Sequence, residues 1–272
     1  MRARSWGHHL LAAPEERTGT RAARPTPGAL FVGRERELAF LSASTEAAFD
    51  GAGQVAVLSG PAGIGKSRLV REFLARINRK RARTHVVHCL PRTTNTPLAL
   101  VRQTLLAVGA NQSGGAFADS IDRALYLRLT DPAPPPLPEL ETLSEHMIRK
   151  RSRSIFVELV MVACRSEPMV LVVEDAHWMD PGSRSYLDKL IKGIDGLPLL
   201  LLLTTRPTEQ APVTDAVLNL PPLGQRDCMM LLGSLAETRK LDGAAMETLV
   251  ERSADNPFFL EELAYASKSG ND

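Results

Sequence analysis

Eight consecutive residues, Gly60, Pro61, Ala62, Gly63, Ile64, Gly65, Lys66 and Ser67, fit the pattern G-x-x-x-x-G-K-S/T in full. Each residue type has a use in phosphate chemistry. Glycines let successive backbone N–H groups turn inward around phosphate oxygens. A helix opening on the loop adds its unpaired donors and the positive end of its dipole. The lysine reaches β- and γ-phosphates, and the hydroxyl after it ligates Mg2+. A purely structural glycine-rich turn would leave Lys66 and Ser67 unexplained.

Such a loop requires acid at the end of a second strand. The apolar run Met169–Val173 leads into Glu174 and Asp175, and carboxylates there face the crevice where doubly wound sheets bind ligands. Two adjacent acids can divide the work, one holding Mg2+ and the next polarising an attacking water. A third run, Leu199–Leu203, leads into Thr204, Thr205, Arg206 and Pro207. A basic residue at that point can sense a γ-phosphate; a plain strand-to-turn exit is the alternative.

The elements that must position these groups are legible as a pattern. Apolar runs Gln54–Leu58, Thr84–Cys89, Met169–Val173, Leu199–Thr204 and Asp215–Leu220 read as strands, near-continuously apolar as strands buried on both faces should be. Amphipathic stretches Glu35–Ala48, Arg68–Arg79, Ser154–Cys164 and Ser183–Lys192 read as helices between them. The alternation predicts an α/β fold with a five-stranded parallel sheet flanked by helices. Asp131–Pro138, with five prolines, reads as a surface loop, and Gly109–Gly115 as irregular. After Leu220 the pattern is helical to Ala266. The expected organisation is a basic tail without fixed structure over 1–28, a core over 29–220 and a partial helical lid over 221–272.

Composition narrows the class. The 272 residues carry 33 Lys+Arg and 31 Asp+Glu, which excludes a polybasic nucleic-acid coat or an acidic tail protein. The bias lies at the start, where residues 1–28 hold five Arg against two Glu. Three scattered cysteines, Cys89, Cys164 and Cys228, argue against a disulfide framework or zinc site and for a reducing, cytoplasmic setting. No apolar run approaches the ~18 residues of a membrane span.

In this order the motifs resemble those of the signal transduction ATPases with numerous domains, the STAND class of AAA-like P-loop ATPases. In particular they are similar to the ATPase module of large LuxR-type regulators and adenylate-cyclase-linked proteins. The resemblance rests on Phe31–Leu38, the phosphate loop, Leu171–Asp180 with its His177-Trp178 continuation, Thr204–Pro207, and Asp255–Leu263 with its Asn256-Pro257-Phe258-Phe259 core. It covers about residues 31–266. It implies ATP rather than GTP, with Mg2+, and Val32, Gly33 and Arg34 lining the adenine pocket with Pro257 near the base. It also implies phosphate contacts from Gly60 through Ser67, with Arg68 beside them. Two departures stand out. Glu174 occupies a position usually held by Asp, and Asp255 replaces a lid glycine. The winged-helix, sensor and effector regions that follow the lid in the family, and a DNA-reading helix-turn-helix, are not expected within these 272 residues.

Weaker signals take local explanations. Basic clusters Arg76–Arg83 and Arg149–Arg153 read as solvated faces, the second also as a source of an arginine finger in trans. His85, His88 and Cys89 read as core, and His177 and Trp178 as packing residues. The expected function is slow Mg2+-dependent ATP hydrolysis by a switch module. In it Lys66 neutralises phosphate charge, Ser67 and Glu174 hold Mg2+, Asp175 positions water and Arg206 reads the γ-phosphate. A non-hydrolysing nucleotide-binding regulatory module and a truncated remnant of a larger regulator are the alternatives. Expected partners are ATP or ADP, an unidentified protein or effector domain and a nucleotide-dependent second copy, with neither membrane nor nucleic acid bound through this chain.

Overall fold

A computed structural model describes residues 30–77, 81–91, 94, 96–109, 117, 119–207, 214, 216–235 and 241–269, with no account of the side chains of 268 and 269. The tail over 1–28, part of Arg76–Arg83, most of Gly109–Gly115 and the final residues lie outside that set.

Five strands, β1 (Gln54–Ser59), β2 (Arg83–His88), β3 (Met169–Glu174), β4 (Leu199–Thr205) and β5 (Val217–Asn219), form one sheet in the order β2-β3-β4-β1-β5. Every pairing is parallel. The apolar runs explain why β3 and β4 are central. Alternate residues serve opposite faces: Val170, Val172, Leu200, Leu202, Ala56 and Leu58 join one core cluster, while Met169, Leu171, Val173, Leu199, Leu201 and Leu203 join the other. Both faces are covered, as the even hydrophobicity of these strands requires.

On the first face lie α1 (Glu35–Phe49) and α2 (Lys66–Arg76), through Leu38, Leu41, Leu69 and Phe73. On the second lie α3 (Ala99–Ala107), α4 (Ser120–Thr130), α5 (Glu145–Ser166) and α6 (Pro181–Lys192). Three further helices, α7 (Gln225–Ser234), α8 (Gly243–Ser253) and α9 (Pro257–Ser269), close a third cluster that also takes in Val32 and Leu223. Among the described residues no helix is long and apolar enough to cross a membrane.

Several boundaries differ from the sequence reading. Helix α5 begins at Glu145 rather than Ser154, capped by Ser144, whose hydroxyl accepts from the Met147 N–H. Its first turns are so basic that the apolar face shows only later. Helices α3 and α4 were not anticipated. The first opens on Leu98, a non-glycine residue with φ 58°, without a side-chain cap. The proline-rich stretch is irregular as expected, although Pro138–Leu140 closes it with a 3-10 turn.

Candidate functional site

The carboxyl ends of β1, β3 and β4 open onto a cleft of about 830 Å3, with β2 on one rim and α9 on the other. Thirteen of the sequence-predicted residues line it: Val32, Arg34, Ala62, Gly63, Ile64, Gly65, Lys66, Ser67, Arg68, Glu174, Asp175, Arg206 and Pro257. Gly33, Gly60 and Pro61 do not. Gly33 has φ 67° and packs against Asp227, whose carboxylate would collide with any Cβ there.

The loop between β1 and α2 turns through two left-handed glycines, Gly63 at φ 80° and Gly65 at φ 99°. Gly65 caps α2, so Lys66 and Ser67 are its first helical residues. Lys66 is only 8% exposed. Its Nζ donates to the carbonyl oxygens of Gly60 at 2.7 Å and Pro61 at 2.9 Å, and no carboxylate pairs with it among the described residues. Burial pulls its ammonium below the usual lysine range; Asp175 opposes that and Arg206 adds to it. A buried cation held by neutral carbonyls at a helix N-terminus is matched to an anion.

Across the cleft, Glu174 ends β3. Burial pushes its carboxyl above the usual glutamate range. His88 beside it counteracts this most, Asp175 adds to the upward shift, and a hydrogen bond with the Ser67 side chain and the charge of Arg71 pull down. Asp175 sits at φ 55°, ψ 45°, with its backbone N–H donating to the Thr204 hydroxyl at 2.9 Å. Glu174 meets Ser67, while Asp175 acts electrostatically on Lys66, His177 and Glu174 itself. Arg206 follows β4 as an exposed residue on the cleft wall, without an ion-pair partner among the described residues.

Arg34 reaches the cleft as a brace. It is 4% exposed, and its guanidinium donates to Glu37 at 3.1 Å, the Ile64 carbonyl at 3.3 Å and the Pro221 carbonyl at 2.8 Å. It thereby ties the start of α1 to the phosphate loop and to the exit from β5. The cleft end nearby is apolar, lined by Leu30, Phe31, Val32, Leu223 and Leu231, with Pro257 and Phe258 opposite.

Ahead of α9, Ala254 and Asp255 have φ 49° and 57°. Asp255, where the resemblance implies a glycine, therefore has a backbone conformation that strains an L-residue by about 1–2 kcal/mol, with Asp better suited than most. Asn256 caps α9 by accepting from the Phe258 N–H at 3.1 Å. Pro257 occupies the first helical position, where its missing N–H costs nothing.

Some residues gain a place the sequence reading did not give them. His88 was expected in the core; instead its side chain is 54% exposed and its Nδ1 lies 3.3 Å from Glu174 Oε2. The parallel register puts His88 directly opposite Glu174. Gln103 of α3 holds the backbone of His88 at both its N–H and its carbonyl, each at 3.2 Å, and so occupies the open edge of the sheet. Asp180 is a buried clamp, accepting from Ser183 and Leu98. The His177 ring packs against Trp178 with centroids 5.1 Å apart and planes tilted by 42°, both ring nitrogens buried and unpartnered among the described residues. Burial pushes its pKa down; Asp175 opposes that, and Arg206 and Lys66 reinforce it. In the second basic cluster Arg149 pairs with Glu145, and Arg151 with Asp119 and Asp122.

A family model described as AAA ATPase domain matches residues 30–202. An uncharacterised protein of Rhizobium meliloti (strain 1021) is 30% identical in an alignment 259 residues long that covers 87% of this chain but 25% of that protein. The chain thus spans about a quarter of the curated relative it matches. Among solved structures, a STAND protein with a tetratricopeptide repeat sensor from Pyrococcus horikoshii matches 87% of this chain and 32% of its own, with TM-score 0.50 and 18% identity. Drosophila ORC, in a structure bound to DNA, matches 96% of this chain and 66% of its own, with TM-score 0.55 and 14% identity. These two likenesses concern the fold. The family match over most of the described core, together with the parallel sheet and its phosphate loop, places the chain in the AAA ATPase domain family of P-loop ATPases.

Proposed function

We propose that this chain is an ATP-binding switch module that hydrolyses ATP slowly with Mg2+, and that it serves signal transduction of the kind the STAND and LuxR-type resemblance implies. The observation that carries the reading is the buried Lys66, held among the described residues by two carbonyl oxygens, in the same cleft as an oxygen-only donor pair formed by Ser67 and Glu174. The cation suits a β,γ-phosphate pair. The hydroxyl and carboxylate suit Mg2+, a hard ion that takes oxygen ligands and neutralises charge on the phosphates.

On this reading the roles divide by position. Lys66 neutralises phosphate charge once it releases the loop carbonyls. Ser67 and Glu174 hold the metal. Asp175, its backbone N–H held by the Thr204 hydroxyl, orients water. Arg206, at the end of β4, meets the terminal phosphate. Loop residues Gly60 to Ser67, with Arg68, surround the phosphate chain, and the apolar end formed by Val32, Leu223 and Pro257 takes the base. The core over 29–220 and the lid over 221–272 then close on the nucleotide from two sides. An unidentified effector domain or protein, or a second copy, receives the signal in the cytoplasm.

The test is steady-state phosphate release. Wild type should release phosphate in a Mg2+-dependent manner, and Asp175→Asn should bind ATP as well but turn over about 100-fold or more slower. ATP binding without release by either protein favours a nucleotide-binding regulatory module.

A further inference from the structure

Helix α9 does more than cover the cleft: its capping residue grips the phosphate loop. Asn256 is 9% exposed, and the two ends of its amide face different elements. The oxygen accepts from the Phe258 N–H at 3.1 Å, within the lid. The nitrogen donates to the Ala62 carbonyl at 3.0 Å, 194 residues away in the loop. Next to it the Phe258 N–H also reaches the Gly63 carbonyl, at 3.4 Å. The fit leaves no slack, since a Cβ on Gly63 would lie 2.7 Å from Asn256 Oδ1 and 2.9 Å from Phe258 Cβ.

The approach is held from behind. Ala254 and Asp255, both left-handed, turn the chain between α8 and α9, and the Asp255 carbonyl accepts from the Leu223 N–H at 3.0 Å. The strain is therefore kept where it aims one amide at the loop. Ala62 and Gly63 are the loop residues whose carbonyls must point away for their neighbours' N–H groups to turn toward a phosphate.

We propose that Asn256 is a positioning residue for the phosphate loop, which it holds in its anion-binding arc from the lid, so that the phosphate subsite and α9 move as one unit. This rests on the nucleotide-binding reading above. It differs from a base-contacting role for the lid, because the ligand fragment that senses Asn256 is the phosphate chain and not the base.

The experiment compares wild type, Asn256→Ser and Asn256→Ala by calorimetry with ADP and with inorganic pyrophosphate, and with adenosine in competition. Serine keeps a good cap for α9 but is too short to reach the Ala62 carbonyl, so it separates the clasp from the cap. A wild-type circular dichroism spectrum and cooperative thermal unfolding of Asn256→Ser without ligand show that its fold is intact. The expected result is an equal loss of ADP and pyrophosphate affinity in Asn256→Ser, about three- to tenfold for one neutral hydrogen bond, with adenosine unchanged. Wild-type pyrophosphate affinity in Asn256→Ser, or a loss confined to adenosine, overturns the proposal alone. Failure of wild type to bind either phosphate ligand overturns the nucleotide reading and the proposal with it.

Discussion

Replacing Arg34 should destabilise the whole molecule, and the size of the effect follows from what its guanidinium touches. Arg34 and Glu37 are 4% and 8% exposed, and their ion pair closes at 3.1 Å. The same guanidinium donates to two carbonyls on separate elements, Ile64 and Pro221. Arg34→Met keeps much of the aliphatic stem but leaves the Glu37 carboxylate buried without its cation and both carbonyls without this donor. Removing one partner of a buried pair costs about 3–5 kcal/mol. At roughly 2–4 °C per kcal/mol for a domain of this size, the melting temperature should fall by about 6–20 °C. The charge, not the volume, carries most of this, so adding Glu37→Leu to Arg34→Met should recover a large part of the loss. Thermal unfolding followed by circular dichroism on the four proteins of the cycle gives the answer. A loss below about 1 kcal/mol in Arg34→Met, or no recovery in the double variant, would refute the reasoning.

Two further outcomes are expected. Gly63→Ala and Gly65→Ala both force alanine into a left-handed conformation, but only the first meets Asn256 and Phe258, since among the described residues nothing lies within 4 Å of a Cβ on Gly65. Gly63→Ala should therefore lose stability by about 1–3 kcal/mol more, the range for overpacking; equal melting temperatures would contradict this. Glu174→Gln should stabilise the nucleotide-free protein at pH 7.5. Burial raises the folded-state pKa of Glu174 above its unfolded value of about 4.5, so the folded state binds more protons and loses stability as pH rises through that window. The melting-temperature gap between Glu174→Gln and wild type should shrink as pH falls toward 4.5, and a gap independent of pH would count against a buried, strained carboxylate.

The parts of this molecule that were legible in the sequence are those where one physical demand acts on neighbouring residues. Strands β3 and β4 announced themselves because burial on both faces forces continuous apolarity from Met169 to Val173 and from Leu199 to Leu203. The phosphate loop announced itself because its glycines, lysine and serine are fixed by chemistry within eight positions. What could not be read depends on register or on contacts across space. His88 meets Glu174 only because β2 pairs with β3 in that register. Asn256 grips Ala62 over a separation of 194 residues, which no local pattern encodes. The start of α5 was hidden because Arg149, Lys150, Arg151 and Arg153 mask its buried stripe, while the brace made by Arg34 resembles, in sequence, a residue facing the base. Only the fold reveals that Arg34 ties Glu37 to the Ile64 and Pro221 carbonyls.

The central claim is that a nucleotide's phosphates displace the loop carbonyls from Lys66. Calorimetric titration of ADP and ATP, with Mg2+, into wild type and Lys66→Ala tests it most directly. Binding by wild type and its abolition in a folded Lys66→Ala protein are predicted. Unchanged affinity in Lys66→Ala would contradict the account.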